Sequence, residues 1–180
     1  MCGLPEDREV FRQAWRESQQ DKEFNPGLDA AISCLLVLCR EQGLEEITKS
    51  ILVNPKAEFG DVYSAILALR VHVQELHVLP KESLLAAVRT LLQRADVADQ
   101  VIADLARWED WTVVGQLVEL FKETDKTNTR LRLPIVQYLL ACPNADAKQA
   151  IIELEGLDPQ TVRKARTFFG NVAKPVAPSE

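Results

Sequence analysis

The stretch that decides the fold is residues 112–169, which read TVVGQLVELFKETDKTNTRLRLPIVQYLLACPNADAKQAIIELEGLDPQTVRKARTFF. Apolar residues recur in it every three or four positions, which is the spacing of one face of an α-helix. The pair Leu131-Arg132 has a similar counterpart later in the stretch, Val162-Arg163. The stretch therefore predicts one pair of helices followed by a second pair that repeats it.

The same helical spacing extends through the rest of the 180 residues, and no segment alternates with the period of two that a strand would show. We expect about ten helices in five pairs, and a period near 30 made of paired helices is typical of an α-solenoid. The sequence thus predicts an all-α fold, a right-handed superhelix of helical hairpins. The predicted pairs are residues 5–18 with 26–41, 44–53 with 60–75, 80–93 with 97–107, 112–122 with 129–141, and 145–154 with 159–169.

Capping residues set the predicted helix boundaries. Glycine is favoured just after a helix, so we expect Gly43 to end the second helix. Pro134 lies near the second turn of the eighth helix, where a kink is expected rather than a break. The predicted N-caps are Asn25, Asp96, Asp110 and Asp158, and the first and last of these precede a proline suited to the first helical position.

The last two pairs resemble HEAT repeats, whose second helix opens with an aspartate, a short spacer and an aliphatic–arginine pair. Residues 158–165 follow this pattern, and residues 125–139 follow it with a longer turn. The resemblance is specific only over residues 112–169, whereas the first three pairs share only the helical pattern. It implies that Arg132 and Arg163 bond the preceding turns, through Asp125 and Asp158.

The chain is expected to form a single repeat domain over residues 1–170, followed by a disordered tail at 171–180 that contains two prolines and no helical pattern. Residues 1–7 and 141–147 share a cysteine, a helix breaker and a polar helix start. This match predicts that further repeats precede Met1, in which case an upstream signal peptide is possible; chance is the alternative explanation. If Met1 is the native start, a cytoplasmic protein is expected, because no secretory signal opens the chain.

Charge is unevenly distributed along the chain. The formal net charge is −6, with −8 over residues 1–121 and +2 over residues 122–180. An acidic body repels phosphate, so nucleic-acid binding is disfavoured, including the basic groove that DNA-reading HEAT-like glycosylases need. No run of about 18 apolar residues occurs, so no membrane span is expected.

Metal-binding and catalytic patterns are missing from the sequence. His72 and His77 are five positions apart, so on a helix they point about 140° from each other and cannot share a metal. They also lack the His-Glu neighbours of the iron-binding HEAT hydroxylases, and we expect both to be partly exposed. No phosphate loop or nucleophile elbow is present. The cysteines have no metal-ligand spacing and are expected to be small buried residues: Cys2, Cys34, Cys39 and Cys142.

The tetrad Trp108, Glu109, Asp110 and Trp111 has two possible roles. It could form an aromatic and acidic pocket. Tryptophan is also a common wedge between stacked hairpins, and this structural role is favoured.

These features predict a non-catalytic scaffold that presents a curved surface to a protein partner, with no cofactor and no metal. In such stacks the second helices usually line the concave side, which makes Arg130, Gln137 and Tyr138 candidates for partner contact. The alternative is a HEAT-type enzyme or enzyme accessory, such as the lyase-like members that attach or hold a chromophore. A closed pocket with converging polar groups would favour that alternative, and an open groove would favour the scaffold.

Overall fold

The computed structural model describes Glu9, Val10, Gln13 and residues 27–172, with side chains described as far as Thr167. All regular structure in this part of the chain is helical, which confirms the predicted all-α class. The predicted Asn25 cap, Cys2, most of the first helix and residues 173–180 lie outside it. Within residues 27–172 the structure describes eight α-helices: α1 (Leu28–Ile47), α2 (Phe59–Val71), α3 (Lys81–Arg89), α4 (Ala98–Arg107), α5 (Val114–Glu123), α6 (Thr129–Ala141), α7 (Ala145–Leu157) and α8 (Pro159–Val172).

The chain divides into two compact units, Met1–Gln93 (unit 1) and Arg94–Glu180 (unit 2). In unit 1, α1 packs on α2, and α3 packs against both. Two π-helices, Thr48–Leu52 and His72–Leu76, extend α1 and α2, and a 3-10 turn extends α3. The single domain predicted over residues 1–170 stays a prediction. The completely buried core side chains of unit 1 include Ile32, Leu35, Leu36, Ile47, Ile51, Leu52, Leu69 and Leu91.

Arg40, and not Gly43, interrupts the first long helix. The backbone of Arg40 has φ 47° and ψ −126°, an unfavourable conformation for a residue with a side chain. Its guanidinium donates a hydrogen bond to the Val78 carbonyl oxygen at 3.2 Å. The chain bends there, and a Cβ on Gly43 would then lie 2.9 Å from the Leu35 carbonyl oxygen. A glycine is therefore needed at position 43 because the Leu35 carbonyl group lies too close for a side chain. This corrects the predicted role of Gly43 as a helix stop.

His72 is completely buried between α1 and α2, and this corrects the prediction of a partly exposed residue. Its Nε2 lies 3.2 Å from the Ser33 carbonyl oxygen, so in the neutral ring this nitrogen donates the hydrogen bond. Nδ1 has no hydrogen-bond partner among the described residues. Burial lowers the pKa of His72 and outweighs the hydrogen bond to Ser33, which raises it. His77 is exposed, as predicted, with φ 48°.

Unit 2 contains two layers of helices. In one layer, α6 packs between α4 and α8; in the other, α5 packs on α7. Helices α5 and α6 also pack together, as do α7 and α8, so each consecutive pair forms a helical hairpin. The fully buried side chains of this unit include Val101, Ile102, Leu105, Leu117, Phe121, Ile135, Val136, Leu139, Leu154 and Val162.

The offset between the two hairpins is one residue shorter than the offset between the pairs Leu131-Arg132 and Val162-Arg163, from which the repeat was predicted. Helices α6 and α8 begin at the equivalent positions Thr129 and Pro159. The preceding side chains act as caps: Asn128 accepts from the Leu131 N–H, and Asp158 accepts from the Thr161 N–H. Asp158 is thus an N-cap, as predicted. This register places Arg132 at the position of Val162, so the predicted equivalence of Arg132 and Arg163 is wrong.

Arg132 is buried with only 3 % of its surface exposed. Its guanidinium donates to the carbonyl oxygens of Phe121 and Thr124 at the end of α5, and to the Asp158 carboxylate at 2.9 Å. It also lies 4.2 Å from the centre of the Phe121 ring, a cation–π distance. Arg132 therefore bonds the preceding turn, but through backbone carbonyls rather than Asp125, whereas Arg163 is exposed.

Four further predictions need correction. Asp96 pairs with Arg94 instead of capping α4, whose N-cap is Val97. Asp110 accepts from Thr112 and does not cap α5.

Helix α8 continues to Val172, two positions into the predicted tail. Cys34 is exposed, whereas Cys39 and Cys142 are buried as predicted. Helix α6 passes through Pro134 without a break, and the predicted kink there stays a prediction.

We predict that the stability of the protein falls in mild acid because of His72. Above about pH 6.5 the ring is neutral in both states; below it the unfolded chain takes up a proton that the folded chain excludes. The free energy of unfolding then falls by at most ~1.4 kcal/mol per pH unit for this group. Urea unfolding between pH 7.5 and 5.5 should show the fall in the wild type and a smaller one in His72→Leu. His77→Asn, which tolerates the left-handed backbone, should behave as wild type; equal slopes in all three proteins contradict this explanation.

We predict that Arg132→Met lowers the free energy of unfolding by about 3 kcal/mol, because it removes the counter-ion of the Asp158 carboxylate and a donor to two carbonyl groups. Arg163→Met is the matched control, and its effect should stay within about 0.5 kcal/mol because the side chain is exposed. Urea unfolding at pH 7 measures both variants. If the two substitutions cost the same, Arg132 does not hold the hairpins together.

Candidate functional site: a groove between α5 and α7

A groove with a volume of about 460 Å³ lies in unit 2 between α5 and α7. Its apolar lining comes from both helices, and two amide side chains and four charged side chains complete its walls. It is formed by the first helices of the two hairpins, and not by the second helices that were expected to contact a partner. The lining residues are Trp111, Thr112, Val114, Gly115, Val118, Glu119, Lys122, Asn144, Asp146, Gln149, Ala150 and Glu153.

Trp111 stands at one end of the groove, and its position is set by the turn that precedes α5. Glu109 has φ 59°, which turns the chain sharply after α4. Asp110, which is 4 % exposed, then accepts through its carboxylate from the Thr112 N–H at 3.3 Å and from the Thr112 hydroxyl at 2.7 Å. These bonds fix the turn, and Trp111 is left half-buried against the groove.

Tyr138 supports this turn from α6. Its hydroxyl donates to the Asp110 carbonyl oxygen, and its ring meets the Trp111 ring edge-on with a centroid distance of 5.2 Å. Such edge-to-face pairs are favourable because the rim of one ring faces the π-cloud of the other. Tyr138 therefore holds the indole of Trp111 in place from the core side.

The charged residues of the groove are linked across its two walls. Lys122 on α5 lies 2.9 Å from Glu119 on the same helix and 2.9 Å from Glu153 on α7. The hydrogen bonds to Glu119 and then Glu153 raise the pKa of Lys122, with the desolvation of the ammonium acting against them. Asp146, in the first turn of α7, forms no ion pair with any described residue.

Gly115 keeps part of the groove open. It lies in the first turn of α5 and is exposed, and a Cβ built on it would meet no atom within 4 Å. The backbone of Gly115 is helical, so the position accepts other residues without strain. A larger side chain there would project into the groove and reduce its volume.

The three predicted contact residues have different environments. Arg130 is exposed and donates to the Asp99 carboxylate at 2.8 Å and to the Asp96 carbonyl oxygen, so it joins α6 to α4. Gln137 is half-buried. Tyr138 is only 1 % exposed, which removes its side chain from any contact surface. None of the three lines the groove.

The two tryptophans of the aromatic and acidic tetrad at residues 108–111 have different roles. Trp108 is 7 % exposed and belongs to the core, in agreement with the structural role that the sequence favoured. Trp111 lines the groove. Among the residues that the structure describes, no group of three or more His, Cys, Asp or Glu side chains is placed to hold a metal ion.

No protein-family model, no curated protein and no solved structure matches the chain. Over the described residues, none of the helices is both long enough and apolar enough to cross a membrane.

We predict that Tyr138→Phe lowers the free energy of unfolding by about 1 kcal/mol, because the buried Asp110 carbonyl loses its donor. The indole of Trp111 should also become less ordered, since its supporting turn is loosened. Tyr63→Phe is the control, because Tyr63 is exposed on α2. Urea unfolding measures both; a Tyr138→Phe cost no larger than the control's would show that the hydroxyl does not secure the turn.

Proposed function

We propose that the protein is a non-catalytic helical scaffold that binds a protein partner in the groove between α5 and α7. The observation that carries this proposal is the groove itself, which is open to solvent and lies between two helices. Its lining combines apolar side chains with amide and charged groups, a composition suited to a polypeptide segment.

The proposed architecture is a HEAT-like right-handed superhelix. The alternating layers of unit 2, the matching starts of α6 and α8, and the Arg132–Asp158 link between successive hairpins support it. Scaffolds of this kind expose a surface built from repeated helices, and each repeat contacts only its neighbours.

The alternative function, an enzyme or accessory that holds a small molecule such as a chromophore, has less support. A small-molecule site usually encloses most of its ligand and directs a few polar groups at it. In this groove Lys122 is engaged with Glu119 and Glu153, and the groove is open to solvent. These features favour the scaffold.

The test fills the groove without disturbing the fold. Gly115→Leu places a side chain in the groove, and Gly156→Leu places the same side chain on α7 outside it, also in open space. Each change should leave the free energy of unfolding unchanged or raise it by up to about 1 kcal/mol, because leucine is a better helix former than glycine.

We predict that a partner protein co-purifies with the wild type and with Gly156→Leu, and that its yield falls at least tenfold with Gly115→Leu. Affinity purification from the native source, followed by mass spectrometry, measures the yields. Equal recovery with all three proteins would place partner binding elsewhere on the chain. Recovery of a small bound molecule alone would favour the enzyme or accessory alternative.

A further inference from the structure

We propose that the groove between α5 and α7 receives a positively charged side chain, arginine or lysine, from an extended segment of the partner. This inference rests on the proposed function, because it assumes that the groove is a protein-binding surface. It adds the chemistry of the occupant, which follows from the charges and the aromatic ring that line the groove.

The groove has three carboxylates, on Glu119, Asp146 and Glu153, and one ammonium, on Lys122. Lys122 lies between Glu119 and Glu153, so one negative charge in this trio is left uncompensated. Asp146, in the first turn of α7, adds a second, and no described residue forms an ion pair with it. The groove therefore carries a net charge of −2 at neutral pH, and a cation entering it is attracted by both walls.

The groove also has apolar lining residues that suit the stem of such a side chain. Arginine and lysine carry three or four methylenes before their charge, and such stems pack along apolar surface while the charged end remains hydrated or paired. Val114, Val118 and Ala150 supply that surface. The half-buried indole of Trp111 adds an aromatic ring, and tryptophan is the strongest of the aromatic partners for a cation.

Two amide side chains of the groove can bind the segment that brings the cationic side chain. Asn144 and Gln149 stand on the α7 wall, and a primary amide both donates and accepts hydrogen bonds. They can therefore bond the peptide groups of an extended segment that lies along the groove. Gly115 on the opposite wall leaves room for the backbone of that segment.

The role of Lys122 supplies the sharpest test. Its ammonium competes with an incoming cation for Glu119 and Glu153. Lys122→Gln should therefore strengthen the binding of a cationic peptide several-fold, although it removes a groove residue. Glu153→Gln and Asp146→Asn should each weaken it several-fold. A groove that bound only by apolar contact would show neither effect.

The experiment uses the full chain and three end-blocked peptides that differ only at a central residue, arginine, glutamine or glutamate, flanked by alanines. Nuclear magnetic resonance follows the Gly115 amide and the Trp111 indole N–H during titration, so binding is located as well as measured. We expect the arginine peptide to bind at least tenfold more tightly than the glutamine peptide. The glutamate peptide should not shift these signals. Affinity for the arginine peptide should fall as the salt concentration rises.

Two control variants distinguish binding in the groove from attraction by the overall negative charge of the chain. Gly115→Leu should abolish the shift of the Trp111 indole N–H, whereas Lys148→Gln, on an exposed part of α7 outside the groove, should leave the affinity unchanged. Equal affinity for the arginine and glutamine peptides, no binding of the arginine peptide, or no gain with Lys122→Gln would each overturn the cationic occupant. The proposed scaffold function is contradicted by a different result, in which the Gly115→Leu variant still co-purifies the partner protein.

Discussion

The guanidinium of Arg132 is the interaction on which the hairpins of unit 2 depend. It binds the free carbonyl groups at the end of α5 and the carboxylate that caps α8, and it lies over the Phe121 ring. Burying a single arginine is costly unless every charge and donor has a partner, and here the partners come from two helix ends. Burial alone would raise the pKa of Asp158, but the bonds from Thr161 and Arg132 outweigh it and lower the pKa. The carboxylate thus stays charged and paired near neutral pH.

Helix α6, the central helix of the unit, connects the contacts of Arg132 to the groove. Near its start, α6 holds the end of α5 through Arg132; further along, it supports Trp111 through Tyr138. The α5 wall is therefore held at both ends by one helix. The α7 wall is joined to α5 by the Lys122–Glu153 contact and ends at Asp158, which Arg132 also binds. Neither Arg132 nor Tyr138 lines the groove, yet both position the residues that do.

Much of the fold could be predicted from short-range patterns, while much of the site could not. The apolar spacing located the helices, and the Asp158-Pro159 pair located the start of α8, because caps act within a single turn of helix. The same reasoning treated Leu131-Arg132 and Val162-Arg163 as equivalent, since the pairs look alike. Their caps show a shift of one position, which is about 100° around a helix and turns Arg163 from the core to solvent. At Gly43 the pattern matched a helix stop, but the break occurs at Arg40.

The sequence by itself determined that the chain is helical, which faces of most helices are buried and where several of them begin, because these properties depend on neighbours within one or two turns. Tertiary structure decided that Arg132 is buried, that Tyr138 supports Trp111 from the core, and that the first helices of the hairpins enclose a groove. These features join residues such as Asp110 and Tyr138, or Lys122 and Glu153, that lie on different helices or turns and far apart along the chain. Their contacts depend on the rotation of each helix about its axis, which only packing against the other helices sets.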